Sequence, residues 1–170
     1  MLCSDCEGEA ESAPRGKGLG FLKNGTIRIH NPRYAALLHE CLDRIPRSGL
    51  SVRLRTEVRL RKRGTLPGVV GLTTYYVEAY APKGVAREES GAHTITFYSN
   101  LMDKLTDRAV VAVMAHELAH AWLNEHLRPE ASNAREDDAD MLAEMWGFEA
   151  ELVALAEQTE PLATDEHTQT

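Results

Sequence analysis

The stretch His116-Glu117-Leu118-Ala119-His120 constrains this chain more than any other. It lies in a run from Thr106 to about His126 that reads as one helix, and the seven residues before it, Ala109 to Ala115, are all apolar. A helix apolar on every side is buried. Buried imidazoles and a buried carboxylate need partners. On a helix, residues i and i+4 share a face with Cβ atoms about 5–6 Å apart. His116 and His120 can therefore reach a single metal ion, and neutral imidazole suits zinc. Glu117 sits beside that pair, where a carboxylate can take a proton from a water on the metal.

A catalytic zinc site takes one more protein ligand. His126 stands ten residues after His116, the third-histidine spacing of the metzincin pattern. That pattern needs a glycine where this chain has Leu123, because the backbone must turn sharply there. Leu123 keeps the helix going and carries His126 away. The acidic run Glu136-Asp137-Asp138-Ala139-Asp140, on the next helix, offers a better donor. Glu136 and Asp140 are i and i+4, so one can bind metal while the other holds the far nitrogen of a ligand histidine. Glu136 is the leading candidate; Asp137, Asp140 and His126 are the others. A rival reading makes Glu136 the end of a capping box begun by Asn133.

The rest of the chain reads as an α+β domain. Asn31-Pro32 opens a helix, with Tyr34, Leu37, Leu38, Cys41, Leu42 and Ile45 at helical spacing and Pro46 as its stop. Leu50 to Arg61 alternates: Leu50, Val52, Leu54, Val58 and Leu60 on one side, Arg53, Arg55, Glu57, Arg59 and Arg61 on the other. Period two marks a half-buried strand, with the arginines on its solvent face. Strands follow at Leu72–Tyr80 and His93–Tyr98, the latter expected beside the cleft. Helices follow from Ser132 or Asn133 to Trp146, and from Gly147 to about Gln158. Strands before helices indicate an α+β fold: a small antiparallel or mixed sheet, then the motif helix, then a third-ligand helix.

The 170 residues suit one domain, expected over 21–160, with mobile tails at 1–20 and 161–170. Residues 1–63 carry 13 Lys/Arg and 7 Asp/Glu, whereas residues 64–170 carry 6 and 19. The basic half could suit nucleic acid, but no aromatic residue interleaves the arginines to stack on bases, which disfavours it. No apolar run approaches the ~20 residues of a membrane span. Met1 to Cys6 lacks the basic-then-apolar pattern of a secretory signal. Three cysteines, an odd number, make no disulfide framework, and a cytoplasmic protein is expected. Cys3 and Cys6 form a C-x-x-C with no second pair.

AHELAHAWL followed by REDDADMLAEMW resembles the peptidase domain of the plant LIM-associated, ubiquitin-activated zinc peptidases. That family carries H-E-x-x-H-x-W-L, a ligand glutamate, then L-A-x-M-W, matched here by Leu142 to Trp146. Gly71-Leu72-Thr73 is similar to a strand of that family. The resemblance covers about residues 110–148. It departs in having Asp137 where the family has glycine and in showing no LIM pattern beyond Cys3 and Cys6. It implies a compact gluzincin (minigluzincin-like) domain, Zn2+ as cofactor, and His116, His120 and Glu136 as ligands with Glu117 as catalytic base. It further implies a protein or peptide substrate cut by a zinc-bound water and, by resemblance only, ubiquitin as a partner. Tyr75, Tyr76, Tyr80, His93, Tyr98 and His126 are candidates to steady the developing oxyanion. The alternative is a metal-binding interaction module without peptidase activity; Glu117, which such a module does not need, is the feature that separates them.

Overall fold

The structure, a computed structural model, describes residues 20–46, 51–65, 67–77, 91–126 and 136–164. Among these, the elements run β1 (Gly25–Arg28), α1 (Pro32–Arg44), β2 (Arg55–Arg61), β3 (Gly71–Val77), β4 (Gly91–Tyr98), α2 (Ser99–Met102), α3 (Asp107–His126), α4 (Glu136–Met145) and α5 (Glu149–Thr164). The class is the expected α+β, with a mixed sheet.

α3 is the axis. Every residue from Ala109 to Ala115 is at most 6% exposed. A helix so covered needs neighbours all round, and α3 touches α1, α4, α5, β3 and β4. Thr106 opens it, its hydroxyl accepting from the Ala109 N–H at 3.4 Å. α1 forms as its capping signals require: Asn31 accepts from the N–H groups of Arg33 and Tyr34, and Pro32 fills the first turn. Its apolar stripe, with Tyr34, Leu38 and Cys41 fully buried, joins the common core.

The sheet order is β1-β2-β4-β3. β1, β2 and β4 run parallel; β3 runs antiparallel to β4, with Gly71 opposite Phe97 and Val77 opposite Gly91. The expectation that His93–Tyr98 borders the cleft is therefore corrected. Among the described residues β4 is interior, paired on both sides, and β3 is the outer strand, which runs against α3. β1 was not expected: its four residues, Gly-Thr-Ile-Arg, are too few to show a period.

β2 begins at Arg55, later than the alternation from Leu50 predicts. The cause is Glu125, 70 residues downstream near the end of α3. Its carboxylate accepts from the Arg53 N–H at 2.8 and 2.9 Å and from the Leu54 N–H at 3.3 Å. Those donors are thus spent before the ladder starts. Val52 keeps one isolated bridge, to Leu22. Arg55 and Arg61 lie exposed as expected, while Arg59 donates to the Thr96 hydroxyl. α5 runs to Thr164, past the expected end at Gln158. No described helix is long and apolar enough to cross a membrane. The Cys3–Cys6 pair, Tyr80 and Asn133 lie outside the described residues.

Arg44 fastens the end of α1 to the α4–α5 junction. It donates to Glu151 at 2.8 Å and to the Gly147 carbonyl at 3.0 Å, and its guanidinium lies 4.3 Å from the Phe148 ring centre. Gly147 turns the chain there at φ 93°, a left-handed conformation that favours glycine. The hydrogen bond from Arg44 holds the Glu151 carboxyl below its ordinary range, against the opposing effect of burial. A lowered acid pKa stabilises the fold above the unfolded value and ceases to do so as pH falls through the folded one. Glu151→Gln is expected to cost about 1–3 kcal/mol at pH 7, measured by chemical denaturation. The gap from wild type should narrow below about pH 4.5; a gap independent of pH there would remove the ion pair from this account.

Candidate metal centre

His116 and His120 project from the third and fourth turns of α3, at the point where its apolar run ends. Across from them is the first turn of α4. The donor atoms of His116, His120 and Glu136 all lie within 4.8 Å of one another. His116 Nε2 is 2.9 Å from Glu136 Oε2, His120 Nε2 is 3.5 Å from Glu136 Oε1, and the two Nε2 atoms are 3.0 Å apart. Zinc bonds of ~2.0–2.1 Å in a tetrahedron set ligand atoms about 3.3 Å apart, so the spacing fits.

His116 Nδ1 is 2.7 Å from Asp140 Oδ1, so its ring proton belongs on Nδ1. In the neutral ring with that tautomer the lone pair is on Nε2, which faces a carboxylate oxygen of Glu136 at 2.9 Å. Burial, reinforced by the neighbouring His116, pushes His120 below the ordinary histidine range and so toward its neutral form. Two imidazole Nε2 atoms and the Glu136 carboxylate thus converge on one point, and with both rings protonated on Nδ1 all three can turn lone pairs to a shared cation. A cation is what such a donor set accommodates, and two nitrogens with one oxygen suit zinc.

Asp140 takes the orienting position on His116, one helical turn after Glu136, as the i, i+4 spacing suggests. Asp137 does not join the cluster. His126 lies away from it: α3 continues through a buried Leu123, and His126 Nε2 comes to 3.3 Å from the Ser51 carbonyl, its ring against Trp122. The missing glycine at 123 decides this.

Glu117 is 6% exposed and lines a cleft of ≈ 870 Å³ together with His116, His120, Glu136, Asp140 and residues 69–73. Leu155 and Thr159 of α5 form another part of its wall. Burial pushes the Glu117 carboxyl up to about 7, while a hydrogen bond from Thr73 and the nearby His116 oppose the rise. The Thr73 hydroxyl donates to Glu117 Oε2 at 2.6 Å and lies 3.0 Å from the Glu117 carbonyl oxygen. Thr73 and its neighbour Gly71 escaped the sequence reading as site residues; a Gly-x-Thr in a strand carries no signal of what lies opposite it. Of the oxyanion candidates, His93 is buried near Glu125, Tyr98 packs against Gly64, and neither they nor His126 lines the cleft.

The model of Peptidase family M48 matches residues 57–159, which span β2 through most of α5. The chain belongs to Peptidase family M48. Comparisons with curated proteins and with solved structures gave no match. M48 is a family of zinc metallopeptidases, which supports the peptidase part of the resemblance read from residues 110–148. It gives no support to the LIM-associated, ubiquitin-activated part.

For this M48 chain, elemental analysis is expected to find about one zinc per protein. His116→Ala, His120→Ala and Glu136→Ala should each release it, and His126→Ala should keep it. Asp140→Ala should weaken zinc affinity about 10–100-fold, read by competition with a chromophoric chelator. Full zinc occupancy in His116→Ala would overturn the assignment.

Proposed function

We propose that the chain is a zinc-dependent endopeptidase of the gluzincin type, with His116, His120 and Glu136 holding the metal and Glu117 as general base. The observation that carries this is the convergence of His116, His120 and Glu136 within 4.8 Å beside the buried Glu117 carboxyl group, in a cleft bordered by a sheet edge. Among the described residues β3 pairs with β4 alone, so its other edge is open to an extended peptide, which adds as a further strand. Residues 69–73 line the cleft, so a peptide on that edge passes the metal centre.

Zinc, when bound, supplies Lewis-acid polarisation of the scissile carbonyl and acidifies a water. The chain's own groups do the rest. Asp140 fixes the His116 tautomer that leaves Nε2 free to bind. Glu117 accepts a proton from the water as its oxygen attacks the carbonyl carbon. As the C–N bond breaks, Glu117 returns that proton to the leaving nitrogen and is again a carboxylate. β3, α3 and α5 form the walls around these groups, with Glu117 itself only 6% exposed.

Glu117→Gln keeps the shape of the side chain and cannot accept a proton. It should leave folding and zinc content unchanged and lower kcat for peptide cleavage by about 10²–10⁴-fold. Cleavage at the wild-type rate by Glu117→Gln would exclude Glu117 as the base. A zinc-loaded wild type that cuts nothing in a broad peptide library would instead favour the metal-binding interaction module.

A further inference from the structure

The Glu117 carboxyl group is gripped from two sides by one strand. Gly71 and Thr73 are two residues apart on β3, so they share the face turned toward α3. Thr73 supplies the 2.6 Å hydrogen bond to Oε2, within the short range of hydroxyl-to-carboxylate bonds. Gly71 supplies room. A Cβ there would lie 2.7 Å from Glu117 Oε1, 2.8 Å from Cγ and 3.0 Å from Cδ. The described glycines with positive φ are Gly68 and Gly147, so the backbone at 71 does not itself require glycine. What excludes a side chain at 71 is the Glu117 carboxyl group.

We propose that Gly71 and Thr73 are positioning residues for the general base. The inference rests on the peptidase reading above and adds what aims Glu117. A glutamate has three rotatable bonds, and an unheld one spends much of its time off target. The Thr73 hydroxyl selects the rotamer, and the bare Cα of Gly71 lets the carboxylate lie flat against the strand. β3 is also the strand whose open edge takes the peptide. Substrate and base are therefore registered against the same few residues of backbone, and a peptide docked along β3 has its scissile bond placed relative to Glu117 by construction.

The test uses the full chain loaded with zinc and fluorescein-labelled casein as probe, followed by a quenched peptide built on whichever bond is cut. Thr73→Val removes the hydroxyl at constant shape. It should keep zinc and KM and lower kcat about 10–100-fold, the scale of a displaced reacting group. Thr73→Ser should restore most of the loss. Gly71→Ala should likewise spare zinc and lower kcat, because the flexible end of Glu117 moves before the backbone does. In a Glu117→Gln background, Thr73→Val should change kcat no further. A second readout needs no turnover: denaturation of Thr73→Val, Glu117→Ala and the double variant, all metal-free, should be clearly non-additive. Additive losses there would overturn the contact. An unchanged kcat in Thr73→Val, alongside an inactive Glu117→Gln, would overturn the positioning role alone. Wild-type turnover by Glu117→Gln would overturn the peptidase reading beneath it.

Discussion

The structure is organised by a conflict inside α3. Two turns of this helix are apolar on every side and must be buried, and the next five residues bring a buried carboxylate and two partly buried imidazoles to the edge of that ground. Polar groups cannot be left there unpartnered without a cost of about 1–3 kcal/mol each. Each surrounding element resolves part of the conflict. β3 offers a hydroxyl to Glu117, and α4 offers one carboxylate to the outer nitrogen of His116 and another to the shared centre. The donor atoms of His116, His120 and Glu136 that gather there could be met together by one metal ion, as proposed above. Core and site are thus two consequences of one helix.

The same helix also sets the sheet. Near its C-terminal end, Glu125 takes the first backbone donors ahead of β2, while His126 turns to the Ser51 carbonyl. The metal-centre end and the sheet-anchoring end are joined by one rigid span, so the cleft and the strands that border it keep a fixed relation. The charge asymmetry follows the same division: arginines face outward from the strands, and the acids gather on the helices that surround the centre.

Much of this was legible in the sequence because the informative signals were local. The histidine pair, the apolar run before it and the i, i+4 acids each lie within one helix, where spacing fixes direction. Leu123 in place of glycine was enough to set His126 aside. The order of strands in the sheet was not legible. Nothing in the spacing of β3 and β4 says which is interior, since pairing is decided by contacts between segments distant in sequence. The late start of β2 depends on a glutamate some 70 residues away. Gly71 and Thr73 gain meaning only when β3 lies beside α3, which no one-dimensional pattern discloses.

α4 carries a consequence of its own. It buries only two side chains, Ala139 and Ala143, both small, and leaves Met141 and Met145 largely in solvent. Such a helix gains little from apolar packing, since each buried methyl contributes on the order of 1 kcal/mol. Yet it brings both Glu136 and Asp140 to the centre. An ion held there would therefore add to its attachment to α3, beside the small apolar cluster of Ala119, Leu123 and Ala139, in a way that it would not for α1 or the sheet. Such an ion, held by Glu136, would pin α4 at its first turn, so that one bound group would both equip the site for the proposed chemistry and close the wall around it.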